Sequence, residues 1–182
     1  MRTALSLHPL SRCPAVSRID VQAARPASGR LDLTYALTGS ITGLHLPPPG
    51  APGRADELWR RTCFEAFVRA PPGEGYFEFN FAPTRQWAAY RFDGYRTGMA
   101  AVSEVAEPRL QACASETSFE LRISLDLRSI LPAGGAWRLG LSAVIEEANG
   151  AKSYWAAAHP GDKPDFHHSG GFVIDLAAPE HP

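Results

Sequence analysis

Two acids, an amide and a tryptophan have the most chemistry to offer in this chain. Glu65 sits in the alternating run Phe64–Arg69, and Glu78 and Asn80 sit in the run Tyr76–Phe81. If Phe64, Ala66 and Val68 share a core face with Phe77, Phe79 and Phe81, parity places Glu65, Glu78 and Asn80 together on the opposite face of adjoining strands. Carboxylates accept hydrogen bonds from hydroxyls, an amide both donates and accepts, and the indole of Trp59 offers a flat apolar surface. That combination suits a small sugar or polyol. The same parity is also that of a solvated sheet face. Glu65 and Glu78 are in addition the two carboxylates a glycoside hydrolase would need, although sequence spacing does not set their separation in space.

Other reactive residue types lead less far. His159, His167 and His168, with Asp162 and Asp165, crowd the segment Ala157–Gly171, but HPGDKPDFHH matches no defined metal-ligand spacing. No GxSxG elbow, P-loop or GxGxxG is present. Cys63, next to Phe64, reads as a small packed hydrophobe, and Trp137 reads as core by its parity.

The elements that must position these residues are short strands. Leu31, Leu33, Tyr35 and Leu37 alternate with polar residues, as do Phe119, Leu121, Ile123 and Leu125. Further strands are expected at Val16–Ala23, Gln86–Phe92, Arg109–Ser115, Trp137–Glu147, Lys152–Ala156 and Phe172–Leu176, with a turn at Asn149-Gly150. Asp126–Leu131 looks like a single helical turn. The Pro- and Gly-rich segment Leu46–Glu57 and the segment Ala157–Gly171 are long loops. No stretch keeps a helical period, so the expected fold class is all-β, an antiparallel β-sandwich of jelly-roll or immunoglobulin-like type. Residues 1–15 are expected to form a loosely ordered leader, 16–176 one domain, and 177–182 a tail.

Composition narrows the function classes. With 182 residues the chain has room for one sizeable core, and 18 basic against 19 acidic residues give a net charge of −1 without charged blocks. This argues against a nucleic-acid partner, and no segment approaches a membrane span. Three widely spaced cysteines form no disulfide framework. The apolar run near the N-terminus is broken by His8 and Pro9, so no signal peptide is expected and the expected location is cytoplasmic.

The stretch LWRRTCFEAFV, with Trp59 six residues before Glu65, resembles the core signature of family 9 carbohydrate-binding modules and their DOMON-like relatives, above all a bacterial group of the latter. YFEFNFAP resembles their next strand, and Phe166, six residues before Phe172, stands where those modules carry a second tryptophan. The resemblance implies a non-catalytic domain holding a small sugar between Trp59 and Phe166. Glu65, Glu78 and Asn80 would read its hydroxyls, and Lys163 would stand near an amide position. Thr62 replaces an acidic residue of the pattern, and the second aromatic is Phe rather than Trp. No cofactor is required. DOMON relatives bind haem b through Met and His in some members, which here would be Met99 and His167. A plain interaction domain is the remaining alternative.

Overall fold

Where hydrophobic residues alternate, the chain is extended, and its strands meet edge to edge in one curled sheet. The computed structural model describes residues 1–132 and 134–179. Its strands are β1 (Arg2–Leu7), β2 (Val16–Ala24), β3 (Arg30–Gly39), β4 (Gly53–Arg54), β5 (Cys63–Arg69), β6 (Tyr76–Phe81) and β7 (Gln86–Phe92). They continue with β8 (Ala100–Ala101), β9 (Arg109–Ala114), β10 (Ser118–Asp126), β11 (Trp137–Glu146), β12 (Lys152–Ala156) and β13 (Ile174–Leu176). No α-helix occurs among the described residues; in Asp126–Leu131, expected as a single helical turn, Asp126 ends β10 and one such turn follows, closed by a 2.9 Å bond from the Leu131 N–H to the Leu127 carbonyl.

The all-β expectation holds, with a difference in how the layers join. The order along the sheet is β4-β7-β6-β5-β11-β12-β1-β2-β3-β10-β9, with β13 on β11 and β8 on β7. One pairing, β4 with β7, is parallel. The two halves are therefore continuous through β1. Its residues Arg2–Leu5 pair with β2, and Ser6 and Leu7 pair with β12. Residues 1–15, expected as a loose leader, thus contain a strand held on both edges. The reason is backbone pairing, since Leu5 is the one strongly buried side chain of this strand. Of the expected tail 177–182, residues 180–182 lie outside the described residues.

The halves face each other across the main core. Tyr35 on β3 donates a 2.6 Å hydrogen bond to the Glu65 carbonyl on β5, and Phe64 stacks on Phe119 of β10 at 5.7 Å. The inward residues of β3, β10 and β11 are those read from parity, and Trp87 and Trp155 join Trp137 in this core. The two halves differ on their outer faces. In β10 burial alternates with the side chains, so one face meets solvent, whereas β5, β6 and β11 are buried on nearly every residue. Something roofs the outer face of the second half.

Candidate functional site

That roof is made of three irregular segments laid over β5, β6, β7, β11 and β12. They are the turn Leu58–Arg60, the β7–β8 connection and the loop Ala157–Gly171. A second apolar cluster lies under part of it. Phe67, Tyr76, Phe92 and Phe172 pack together there, and the His167 ring sits 5.1 Å from Phe67 and 5.0 Å from Phe92. Beside this cluster the strands present smaller residues. Register aligns Ala88, Asn80, Glu65, Ser142 and Ala156 across neighbouring strands. Over Glu65 of this row the loops leave a space. The space is a cavity of about 390 Å³, within the range of small-molecule sites.

Trp59 and Phe166, Glu65 and Glu78, and also Met99 and His167, line this one cavity. Residues distant in sequence are thus gathered by the sheet and its roof. Trp59 packs edge-on against Tyr90 at 5.9 Å, and Phe166 leans on Tyr154 at 6.2 Å, so each wall is braced by an aromatic of the sheet. Both walls remain partly exposed, which leaves apolar surface for a ligand. Arg96, Tyr154, Phe92, Val144 and Pro164 complete the lining. These were not legible as site residues, although Tyr90 and Phe92, on the outer parity of β7, were a sign that this face is covered.

The carboxyls form the floor. Glu65 is 3% exposed and Glu78 5% exposed. Because Glu65 pairs with Asn80, Glu78 is its diagonal neighbour, with backbones ~7–8 Å apart for such a pair. Asn80 is fully buried and donates a 2.7 Å hydrogen bond from Nδ2 to Glu78 Oε1. The amide therefore orients Glu78; it does not line the cavity as a reader of hydroxyls. Glu65 Oε2 accepts a long 3.4 Å bond from Ser142. Burial, and then the Glu78 charge, hold the Glu65 carboxyl well above the usual range. Burial likewise raises Glu78 to about 7, against the opposing effects of the Asn80 hydrogen bond and Arg96.

His167 is fixed from two sides. Tyr76 accepts the Arg96 backbone N–H at 3.3 Å, and its hydroxyl meets His167 Nδ1 at 2.8 Å. The other ring nitrogen, Nε2, faces Glu78 Oε2 at 3.7 Å. Burial and the Arg96 charge lower the imidazole to about 4, so it is neutral at neutral pH. Asp165 ties the roof together. It accepts 2.8 Å and 2.5 Å bonds from Arg96 and Tyr95 of one loop and a 3.1 Å bond from the His167 backbone of another.

Several expected roles do not survive this geometry. Lys163 is exposed and does not line the cavity. The three histidines considered for a metal are engaged separately. His159 Nε2 lies 2.8 Å from the Ser6 carbonyl oxygen, His167 meets Tyr76, and His168 Nδ1 accepts from the Gly170 N–H. Among the described residues, no group of three or more His, Cys, Asp or Glu side chains could hold a metal ion. Of the pair named for haem, Met99 and His167 line the same cavity, with His167 Nδ1 2.8 Å from the Tyr76 hydroxyl and Nε2 3.7 Å from Glu78 Oε2.

No family model matches this chain, and no curated protein matches it in sequence. Among solved structures, its fold is similar to the crystal structure of a candidate carbohydrate-binding protein from Bacteroides uniformis. The TM-score is 0.71 and the identity 14%, covering 94% of this chain and 84% of that one. The similarity shows a shared all-β fold.

Proposed function

We propose that this protein is a non-catalytic sugar-binding domain, a curled β-sandwich of the general type of family 9 carbohydrate-binding modules and DOMON-like domains. A small sugar or polyol would enter between Trp59 and Phe166 and rest its hydroxyls on Glu65 and Glu78. The observation that carries this reading is the cavity itself, which joins partly exposed aromatic walls to a floor of buried carboxyls. Its volume suits one or two sugar rings, and aromatic rings stack on the apolar face of a pyranose. The fold likeness to a candidate carbohydrate-binding protein supports the same ligand class.

Glycoside hydrolysis is less well supported by the same residues. A catalytic pair needs one carboxyl held protonated and the other ionised, and environments that push their pKa values apart. Glu65 and Glu78 are both raised, for the same reason of burial.

Calorimetric titration with a panel of mono- and disaccharides tests the proposal. At least one sugar should bind saturably, with a dissociation constant on the order of micromolar to millimolar. Trp59→Ala should weaken that binding about tenfold or more, since it removes one stacking wall. Failure of every sugar to bind the wild-type protein overturns the reading.

A further inference from the structure

The charges around the cavity do not balance, and the imbalance specifies the ligand more closely. Glu65 and Glu78 are each at least nine-tenths buried, and each keeps one oxygen without a hydrogen bond among the described residues. Glu65 Oε1 has no partner, and Glu78 Oε2 has only the His167 Nε2 at 3.7 Å. Among the described residues the cationic side chain of the lining is Arg96, which is bound to Asp165 at 2.8 Å and offsets only part of the burial of Glu78. Lys163 is exposed outside the cavity, and Arg61 is paired with Glu146 at 3.0 Å. The floor therefore holds two carboxyls with no cation hydrogen-bonded to either among the described residues.

A buried carboxylate costs free energy unless an opposite charge or several donors compensate it. A neutral sugar offers only hydroxyl donors. An ammonium group offers three N–H donors and a full positive charge, and aromatic walls favour a cation next to their faces. We propose that the cavity takes a sugar or aminopolyol carrying a protonated primary amine, seated between Glu65 and Glu78 with its ring between Trp59 and Phe166. This deepens the sugar-binding reading and rests on it.

Binding such a cation draws the carboxyls toward their ionised forms. In the ligand-free protein the groups facing the pair are mainly neutral or acidic. They are Tyr35 and Cys63 behind Glu65, Tyr76, Tyr90 and His167 around Glu78, and the Arg96–Asp165 pair at the rim. Of these only the Arg96 charge favours ionised Glu78, and it does not offset burial, so both carboxyls lie above their usual range and lack a full compensating charge. The incoming ammonium supplies it, and a proton leaves the site.

The test is calorimetry of the full chain near neutral pH with glucosamine, glucose, N-acetylglucosamine and cyclohexylamine, each in two buffers of different ionisation enthalpy. Glucosamine should bind at least tenfold more tightly than glucose or N-acetylglucosamine and should release a proton, whereas the neutral sugars release none. Glu65→Gln and Glu78→Gln, each checked for an intact cooperative unfolding transition, should reduce that preference. Equal affinity for glucosamine and glucose overturns the ammonium proposal and leaves the sugar reading standing. Cyclohexylamine binding as tightly as glucosamine overturns the sugar reading and keeps the ammonium seat. Absence of binding by all four overturns both.

Discussion

At the scale of the residue, Glu78 couples the site to the stability of the fold. Burial raises its carboxyl from 4.5 to about 7. In that interval the folded protein keeps a proton that the unfolded chain has released. The contribution is complete below the unfolded value and is lost as pH rises through the folded one. His167 runs the other way: lowered from 6.5 to about 4, it contributes fully above 6.5 and loses that contribution as pH falls toward 4. The two oppose each other in mildly acidic solution. Above that window the carboxyls act alone, because Glu65 is raised as well. Glu78→Gln removes one carboxyl and relieves the other of its charged neighbour. Relative to wild type, the variant should therefore gain on the order of 2–3 kcal/mol of stability between about pH 5 and about pH 8. Urea denaturation at the two pH values reads this difference, and a wild-type-to-variant gap that does not move with pH would sink it. Asn80 shows the limit of reading residues from sequence. Its type and parity mark a polar reader, but its amide is spent on Glu78, a pairing along one strand that becomes visible only with side-chain positions.

At the scale of the element, the site depends on how loops lie on strands. Gly140 of β11 pairs with Phe67, and a Cβ there would meet the Gly171 carbonyl oxygen at 3.2 Å and the Phe67 Cβ at 3.5 Å. Gly171 ends the turn that closes the loop bearing Phe166 and His167. The contact is with backbone, so the loop end must shift to admit a methyl group. Gly140→Ala should cost about 1–2 kcal/mol, lower the Tm by several degrees, and weaken ligand binding by displacing one wall. Gly53→Ala is the control, because a Cβ there meets nothing within 4 Å. Identical melting and titration behaviour of the two variants would refute the coupling. The strands themselves were readable. Gln86–Phe92 and Lys152–Ala156 have the bounds that alternation implies, and the β9–β10 and β11–β12 pairings follow from their turns. The roof was not, because an irregular loop carries no period that points to the surface it covers. The available sign lay in the strands: Phe67, Tyr90 and Phe92 sit on the same outer parity as the acids, which a solvated face would not favour.

At the scale of the whole molecule, two halves become one sheet because a single short strand belongs to both. Alternation makes β3 and β10 recognisable and β2 less cleanly, but RTALSL is short, with Leu5 strongly buried and Leu7 only partly buried on the same parity. Its place is set by partners far away in the chain, Ala4 opposite Asp20 and Ser6 opposite Ala156. Such long-range backbone pairing leaves almost no trace in local sequence. Its energetic weight is nevertheless large. Without β1, the facing edges of β2 and β12 lose their hydrogen-bond partners, Leu5 leaves the core, and two open strand edges are presented to other chains. Tyr35 and Phe119 would still press on β5, so the halves would remain in contact through their inner faces alone. Removal of residues 1–7 should therefore lower the Tm by more than about 10 °C and promote concentration-dependent association, since about 1 kcal/mol corresponds to 2–4 °C in a chain of this size. Leu5→Ala, which keeps the strand and removes only its buried side chain, should cost about 2–4 kcal/mol without association. Differential scanning calorimetry and sedimentation on both variants separate backbone from side-chain effects. A truncated protein that melts like Leu5→Ala and stays monomeric would show that β1 contributes its one side chain and no more.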